Sequence, residues 1–263
     1  MELGKLFSGE FVGTMVLIII GNGIVANFSY KKGAANKDSF LTILLSWAAA
    51  VMVGVTISWA MHGKGMINPA GAIMNWVAGN LNVGEFFIAV LAQFMGAIVG
   101  QVILDVLLWN HIKDRDNIDK VLGAHATGAT FPNGWASNMM SEFLGTVILL
   151  VGASSLAIYN PLNGATNTIL VGIIVLAIGA ATGSVTGFAI NPARDLGPRL
   201  VYQLLPIPQK PSANWEYAIV PFIMPILAGV MVGGLHWFGG VFKVFDFSEQ
   251  NSSIEQIKKI VTN

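Results

Sequence analysis

Asn68-Pro69-Ala70 and Asn191-Pro192-Ala193 repeat one tripeptide 123 residues apart (191 minus 68), each just after a long apolar segment. Asn is a favoured helix N-cap and Pro a favoured first helical residue, so each tripeptide spells the start of a helix. In a bilayer, two short helices starting at the midplane aim two positive dipole ends and two cap amides at one point. A solute threading that point meets hydrogen-bond donors and no base.

The chain has 263 residues, 54% of them hydrophobic and only 11% Asp, Glu, Lys or Arg, less than half the charged share of a soluble domain. It reads as an integral membrane protein. Fourteen basic and 14 acidic residues cancel, so no electrostatic case exists for nucleic acid as a partner. Cysteine is absent, which removes disulfides and thiolate chemistry. The N-terminal stretch runs into apolar sequence with no small-residue cleavage site and reads as the first span rather than a signal peptide.

A spanning helix needs about 20 mostly apolar residues. Six stretches qualify, at about 9–29, 40–60, 84–109, 139–159, 167–187 and 216–238. The two tripeptides follow the second and fifth, and each leads into an apolar run too short to cross alone (71–77 and 196–205), which predicts half-helices. Polar linkers occupy 31–39 and 110–137, and the stretch from 242 to the end reads as a polar, cytoplasmic tail.

Gly9-Glu10-Phe11-Val12-Gly13-Thr14 opens the first span and Ser141-Glu142-Phe143-Leu144-Gly145-Thr146 the fourth, an offset of 132 residues. Three spans per repeat is an odd number, so the second copy enters the membrane from the opposite face. The expected organisation is one channel domain over 1–240, built of inverted repeats at about 1–110 and 138–240 with a linker over 111–137, then a tail at 241–263. Glycines four apart, at Gly179, Gly183 and Gly187, at Gly96 and Gly100, and at Gly229 and Gly233, predict close helix crossings.

With these residues in hand, the chain resembles the aquaporin and glycerol facilitator family, the major intrinsic proteins, along nearly its whole length. The run from Gly187 through Asn191-Pro192-Ala193-Arg194-Asp195 to Pro198 is similar to the second pore motif of the glycerol-conducting branch, in which Asp follows Arg. Gln93-Phe94-Met95-Gly96, and Pro221 with Pro225, match further patterns. The resemblance implies an all-α membrane fold of six spanning helices and two half-helices, a pore in every subunit and a homotetramer. It also implies both termini in the cytoplasm. That places five basic residues inside (Lys5, Lys64, Lys243, Lys258, Lys259) and seven outside (Lys31, Lys32, Lys37, Lys113, Arg115, Lys120, Lys210), so the positive-inside bias lends no support.

The first motif departs from the family's usual Ser-Gly-Ala-His, reading His62-Gly63-Lys64-Gly65-Met66-Ile67. The usual ring is missing and a Lys faces the inner vestibule. His62 and Lys64 read as solvated loop residues, with gating the sharper alternative. The span-two filter residue is Ala48 by strict counting, 68 minus 48 or 20 residues before Asn68, or Trp47 if one residue is inserted near Lys64. The run Trp47 to Gly54 favours Trp47, with Ala48 the alternative and a wider pore its consequence.

By resemblance, the selectivity filter is Trp47, Gly179, Phe188 and Arg194, and the pore motifs are Asn68, Pro69, Ala70, Asn191, Pro192 and Ala193. An unpaired cation in an apolar span usually faces a water-filled cavity; the bland alternative for Arg194 is an ion pair with Asp195. Gly179 leaves room where the water-selective branch usually places His. Asp195, Glu10 and Glu142 read as structural support, the two glutamates accepting hydrogen bonds from the motif loops, with proton relay the alternative. His111, His125 and His236 are scattered and suggest no metal.

The expected activity is passive conduction of glycerol, some water, and candidates such as dihydroxyacetone, urea and undissociated lactic acid, without cofactor or metal and excluding ions and protons, in the plasma membrane. A water-selective channel, a proton-coupled transporter and a non-conducting adhesion protein compete with it. No nucleophile with a base, paired acids or metal cluster can be assembled, which argues against an enzyme.

Overall fold

A computed structural model describes residues 2–36, 38–159 and 164–237, with no side-chain detail at 158, 159, 236 and 237. The tail at 241–263 and Lys37 lie outside the described residues, as does the side chain of His236. Among the described residues, six helices are long and apolar enough to cross a membrane: α1 (Leu3–Ser29), α2 (Phe40–Ala60), α4 (Val83–Leu107), α6 (Trp135–Tyr159), α7 (Gly164–Thr186) and α9 (Trp215–Trp237). Two shorter ones, α3 (Pro69–Val77) and α8 (Pro192–Leu204), begin at the Pro of each tripeptide. α5 (Trp109–Ile112) is a single turn.

The helix starts follow from local chemistry. Asn68 and Asn191 are N-caps in extended conformation with Pro at the first helical position. Asn82 and Glu85 form a reciprocal capping box at the start of α4. The first span begins at Leu3, six residues before the stretch expected at 9–29, because Lys5 stands exposed in the first turn without breaking the helix.

Packing repeats between the halves. α1 packs on α2 and α4 as α6 packs on α7 and α9, and α2 meets α7 across the centre. Each half-helix lies on the last helix of the other half, α3 on α9 and α8 on α4. Some of the glycine spacing serves these crossings: a methyl at Gly100 would lie 2.5 Å from the Met15 carbonyl oxygen of α1, and one at Gly233 2.6 Å from that of Met74. The span-five series differs. Gly187 lies past the end of α7, while Gly179 and Gly183 adjoin the Phe188 ring and the α2 side chains Leu44 and Phe40.

The expected polar linker over 111–137 is also more than a connector. It folds into 3-10 turns at Arg115–Lys120 and Leu122–Ala124 and buries Val121, Ala124 and His125 against the bundle. The outward faces stay apolar, with Phe87, Val106 and Leu107 each more than half exposed, as lipid or a neighbouring subunit requires.

Candidate functional site

The two caps face each other. Asn68 Oδ1 accepts from Ala70 N at 2.9 Å, and its Nδ2 donates to the Ile190 carbonyl at 2.8 Å. Asn191 Oδ1 accepts from Ala193 N and Arg194 N at 3.1 and 3.2 Å, and its Nδ2 donates to the Ile67 carbonyl at 2.8 Å. Each amide thus latches the loop that leads into the other cap. An amide NH2 has two donors, so one remains on each Asn.

The loops that lead into the caps run in a costly conformation. Ile67, Phe188 and Ile190 have φ of 41°, 41° and 43°, a region that branched and bulky side chains rarely occupy. Two buried glutamates hold them there. Glu10 accepts five hydrogen bonds: from the backbone N–H groups of Lys64, Met66 and Ile67, the Ser58 hydroxyl and Gln93 Nε2. Glu142 accepts from Ala189 N at 2.9 Å and Ile190 N at 2.7 Å. Both side chains are fully buried, and neither lines the central cavity.

That cavity has a volume of about 490 Å³. It extends from Trp47, Phe188 and Arg194, past Asn68 and Asn191, to Lys64 and Asn80 at the other end. Its lining combines aliphatic side chains, among them Leu17, Val51, Val55, Val175 and Leu149, with the loop residues 65–67 and 188–190. No residue of the 111–137 linker contributes to it. It ends where the Arg194 guanidinium carbon sits 4.1 Å above the centre of the Trp47 ring, a van der Waals separation.

Of the two span-two candidates, Trp47 lines the cavity and Ala48 does not; the Ala48 carbonyl faces Gly172 of α7 instead. Gly179 does not line it either. The room its missing side chain leaves is taken by Leu44 and Phe188, which a methyl there would approach to 2.6 and 2.9 Å. Phe188 in turn lines the cavity. The small residue is therefore a socket for the aromatic one.

No ion pair joins Arg194 to Asp195 among the described residues. Asp195 is bound instead by Arg199, through Nε at 2.8 Å and Nη2 at 3.0 Å, and by the Thr127 N–H and hydroxyl, both at 2.8 Å. Arg199 also donates to the carbonyls of Ala213 and Thr127. Both charges are fully buried, so this pair ties α8 to the linker and to the segment before α9. Sequence reading missed Arg199 although Asp195 and Arg199 stand four apart on a helix, a spacing that brings side chains together.

At the other end, Lys64 Nζ donates to the Asn80 carbonyl at 3.0 Å while His62 is exposed. Beyond the membrane segments, Lys31 is paired with Asp116, and its pKa is raised by that hydrogen bond. Asp114 is held below the usual carboxylate range, first by the Asp116 N–H and then by Lys32. No group of three or more His, Cys, Asp or Glu placed to hold a metal ion occurs among the described residues.

The family model described as "Major intrinsic protein" matches residues 2–237. The glycerol uptake facilitator protein of Bacillus subtilis (strain 168) is 38% identical over 236 residues, covering 90% of this chain and 82% of that one. The glycerol uptake facilitator protein of Streptococcus pneumoniae serotype 4 is 35% identical over 229 residues, covering 87% and 96%. Among solved structures, the aquaglyceroporin from Plasmodium falciparum aligns with a TM-score of 0.78 at 25% identity, over 89% of this chain and 96% of that one. A chain that this family model matches from residue 2 to 237, across every described residue, belongs to the major intrinsic protein family.

Proposed function

We propose that this chain is a passive channel, not an enzyme, for glycerol and other small uncharged solutes, with some water permeability. The observation that carries the reading is the cavity, which runs past both asparagine caps and ends at Trp47 and Arg194. A polyol has carbons on one edge and hydroxyls on the other. The aromatic and aliphatic wall suits the first, and the free Asn68, Asn191 and Arg194 donors with the loop carbonyls suit the second. The names of the relatives point the same way.

In this reading Trp47, Phe188 and Arg194 form the filter, with Gly179 as the socket for Phe188. Asn68-Pro69-Ala70 and Asn191-Pro192-Ala193 form the centre, and Glu10, Glu142 and Asp195 support it. The inverted repeats, a homotetramer, a plasma-membrane location with both termini inside, and passage of dihydroxyacetone, urea or undissociated lactic acid complete the proposal. Proton coupling is disfavoured because both membrane glutamates are engaged by backbone N–H groups away from the cavity.

Stopped-flow light scattering on proteoliposomes against empty vesicles tests it. Glycerol flux well above background supports the reading. Fast water flux with glycerol at background assigns the chain to water selectivity instead, and neither flux would end the channel reading.

A further inference from the structure

Arg194 closes the cavity by lying on the Trp47 ring, and it has one side-chain hydrogen-bond partner among the described residues: Nη1 donates to Asn22 Oδ1 at 3.3 Å. Asn22 is fully buried on α1 and does not line the cavity. One guanidinium therefore has two competing contacts, an anchor within the wall and an aromatic face within the lumen.

The anchor cannot turn. Asn22 Nδ2 donates to Gln101 Oε1 at 2.7 Å and to the His125 carbonyl at 3.0 Å, which uses both its hydrogens and leaves the oxygen for Arg194. Gln101 Nε2 then donates to Asp105 Oδ1 at 2.7 Å. Asp105 Oδ2 meets His125 Nε2 at 3.1 Å, and His125 Nδ1 meets the Val121 carbonyl at 2.8 Å. A carbonyl only accepts, so Nδ1 carries a hydrogen. The donors run one way, from Arg194 through Asn22 and Gln101 to a buried acid.

We propose that Asn22, oriented by the Gln101–Asp105–His125 chain, is the positioning residue that holds Arg194 against the wall and so sets the width of the solute slot. The proposal rests on the filter reading given above. At 3.3 Å the Arg194 bond leaves about 0.5 Å of travel to the length of a charge-assisted bond. Gly21, next in the chain, works on the other partner: a side chain there would overlap the Trp47 ring, so the Gly21-Asn22 pair of α1 seats both members of the constriction. Without Asn22 the guanidinium keeps only the indole as side-chain partner, and the slot narrows for a carbon-bearing solute more than for water.

The test compares glycerol and water permeabilities of wild-type, Asn22→Leu, Asp105→Leu and Asp105→Asn proteoliposomes, each corrected for inserted protein. Asn at 105 keeps the chain, since its oxygen accepts from Gln101 and its nitrogen donates to His125 Nε2. The glycerol-to-water ratio should fall roughly tenfold in Asn22→Leu, the population change expected from losing one hydrogen bond to a charged group. It should fall in the same direction in Asp105→Leu and stay near wild type in Asp105→Asn. A purely structural role would lower the inserted amount and leave the ratio alone, and that result overturns the proposal, as does an equal fall in both Asp105 variants. If the Leu variants do not insert, Asn22→Ser, whose hydroxyl is too short to reach Arg194, reads the same ratio. Wild-type vesicles with no glycerol flux would instead sink the channel reading itself.

Discussion

Gly179→Ala adds one methyl where the structure has no room for it. That carbon would lie 2.6 Å from Leu44 Cδ2 and 2.9 and 3.0 Å from Phe188 Cζ and Cε2. Ordinary carbon contacts are about 3.5–4.0 Å, so Leu44 must retreat by roughly 1–1.4 Å and Phe188 by roughly 0.5–1 Å. Leu44 can turn its terminal methyl away. Phe188 has less freedom, because its backbone sits at φ 41° and the next two N–H groups are held by Glu142. Its ring lies between Gly179 and the cavity, so its retreat is into the lumen. Overpacking of this kind costs about 1–3 kcal/mol, against about 1 kcal/mol regained by replacing Gly with Ala inside a helix. The protein should therefore still insert.

The slot loses part of its width, and about 1 kcal/mol added to the barrier of a carbon-bearing solute slows it about fivefold. Water, which needs less width, should slow less. Gly179→His is the larger form of the same perturbation: the imidazole occupies the Phe188 site outright, and glycerol flux should fall to near background. Stopped-flow light scattering at equal protein content reads both. Glycerol permeability unchanged in both variants would show that Phe188 does not border the path, and the socket argument would fail.

Four further outcomes are expected. Arg199→Leu leaves the Asp195 carboxylate buried without its partner and should cost about 3–5 kcal/mol, seen as loss of folded protein in detergent thermal melts; an unaltered melt would contradict the pairing. Glu10→Gln turns one acceptor into a donor among five donors, with a loss of about 2–4 kcal/mol, yet flux per inserted molecule should stay independent of a proton gradient; gradient-driven uptake in wild type that vanishes in the variant would revive the relay reading. Arg194→Val should raise ion or proton leak, measured with a pH-sensitive dye, and equal leak would remove Arg194 from the barrier. Asp114, whose pKa is lowered on folding, contributes stability above its unfolded pKa that is lost as pH falls through the folded value; Asp114→Asn should therefore flatten the acid side of the melting-temperature profile, whereas an identical acid limb would rule out this contribution.

The helices and the centre of the site were legible because their causes are local. Six apolar runs of spanning length, and Asn followed by Pro at a helix start, need no knowledge of distant residues, and the half-helices begin at Pro69 and Pro192 as that chemistry requires. The paired glutamates were visible as carboxylates inside apolar spans. What was hidden depends on contacts remote in sequence or on backbone angles that residue type argues against. Nothing about Ile67, Phe188 or Ile190 suggests positive φ; it follows from two carboxylates pulling on N–H groups 47 to 57 residues away. Asp105 offered a signal of its own, an acid within the third span, but its partner His125 reaches it only because the linker folds back. Gly179 shows the subtler failure: its spacing from Gly183 fits a helix-crossing series, whereas its neighbours make it a socket for a ring.

The hydrogen-bond inventory at the centre decides what the pore transmits under the proposed reading. Each asparagine oxygen is spent on its own helix and one N–H on the opposite loop. What remains for a solute at that level is donors, reinforced by the positive ends of two half-helices. A water molecule there must turn its oxygen to the asparagines and can only donate outward, so waters on either side cannot hand a proton through it. A hydroxyl-bearing solute suffers no such restriction, because it passes whole: its oxygens accept from the asparagines and its hydroxyl hydrogens find the loop carbonyls. The positive φ of Ile67 and Ile190 belongs to the same arrangement, since carbonyls drawn into a regular helix would be unavailable. Strain in the loops, the buried glutamates that hold it, and the one-sided donor set at the centre are thus a single device, and polyol passage with proton exclusion is what that device can do.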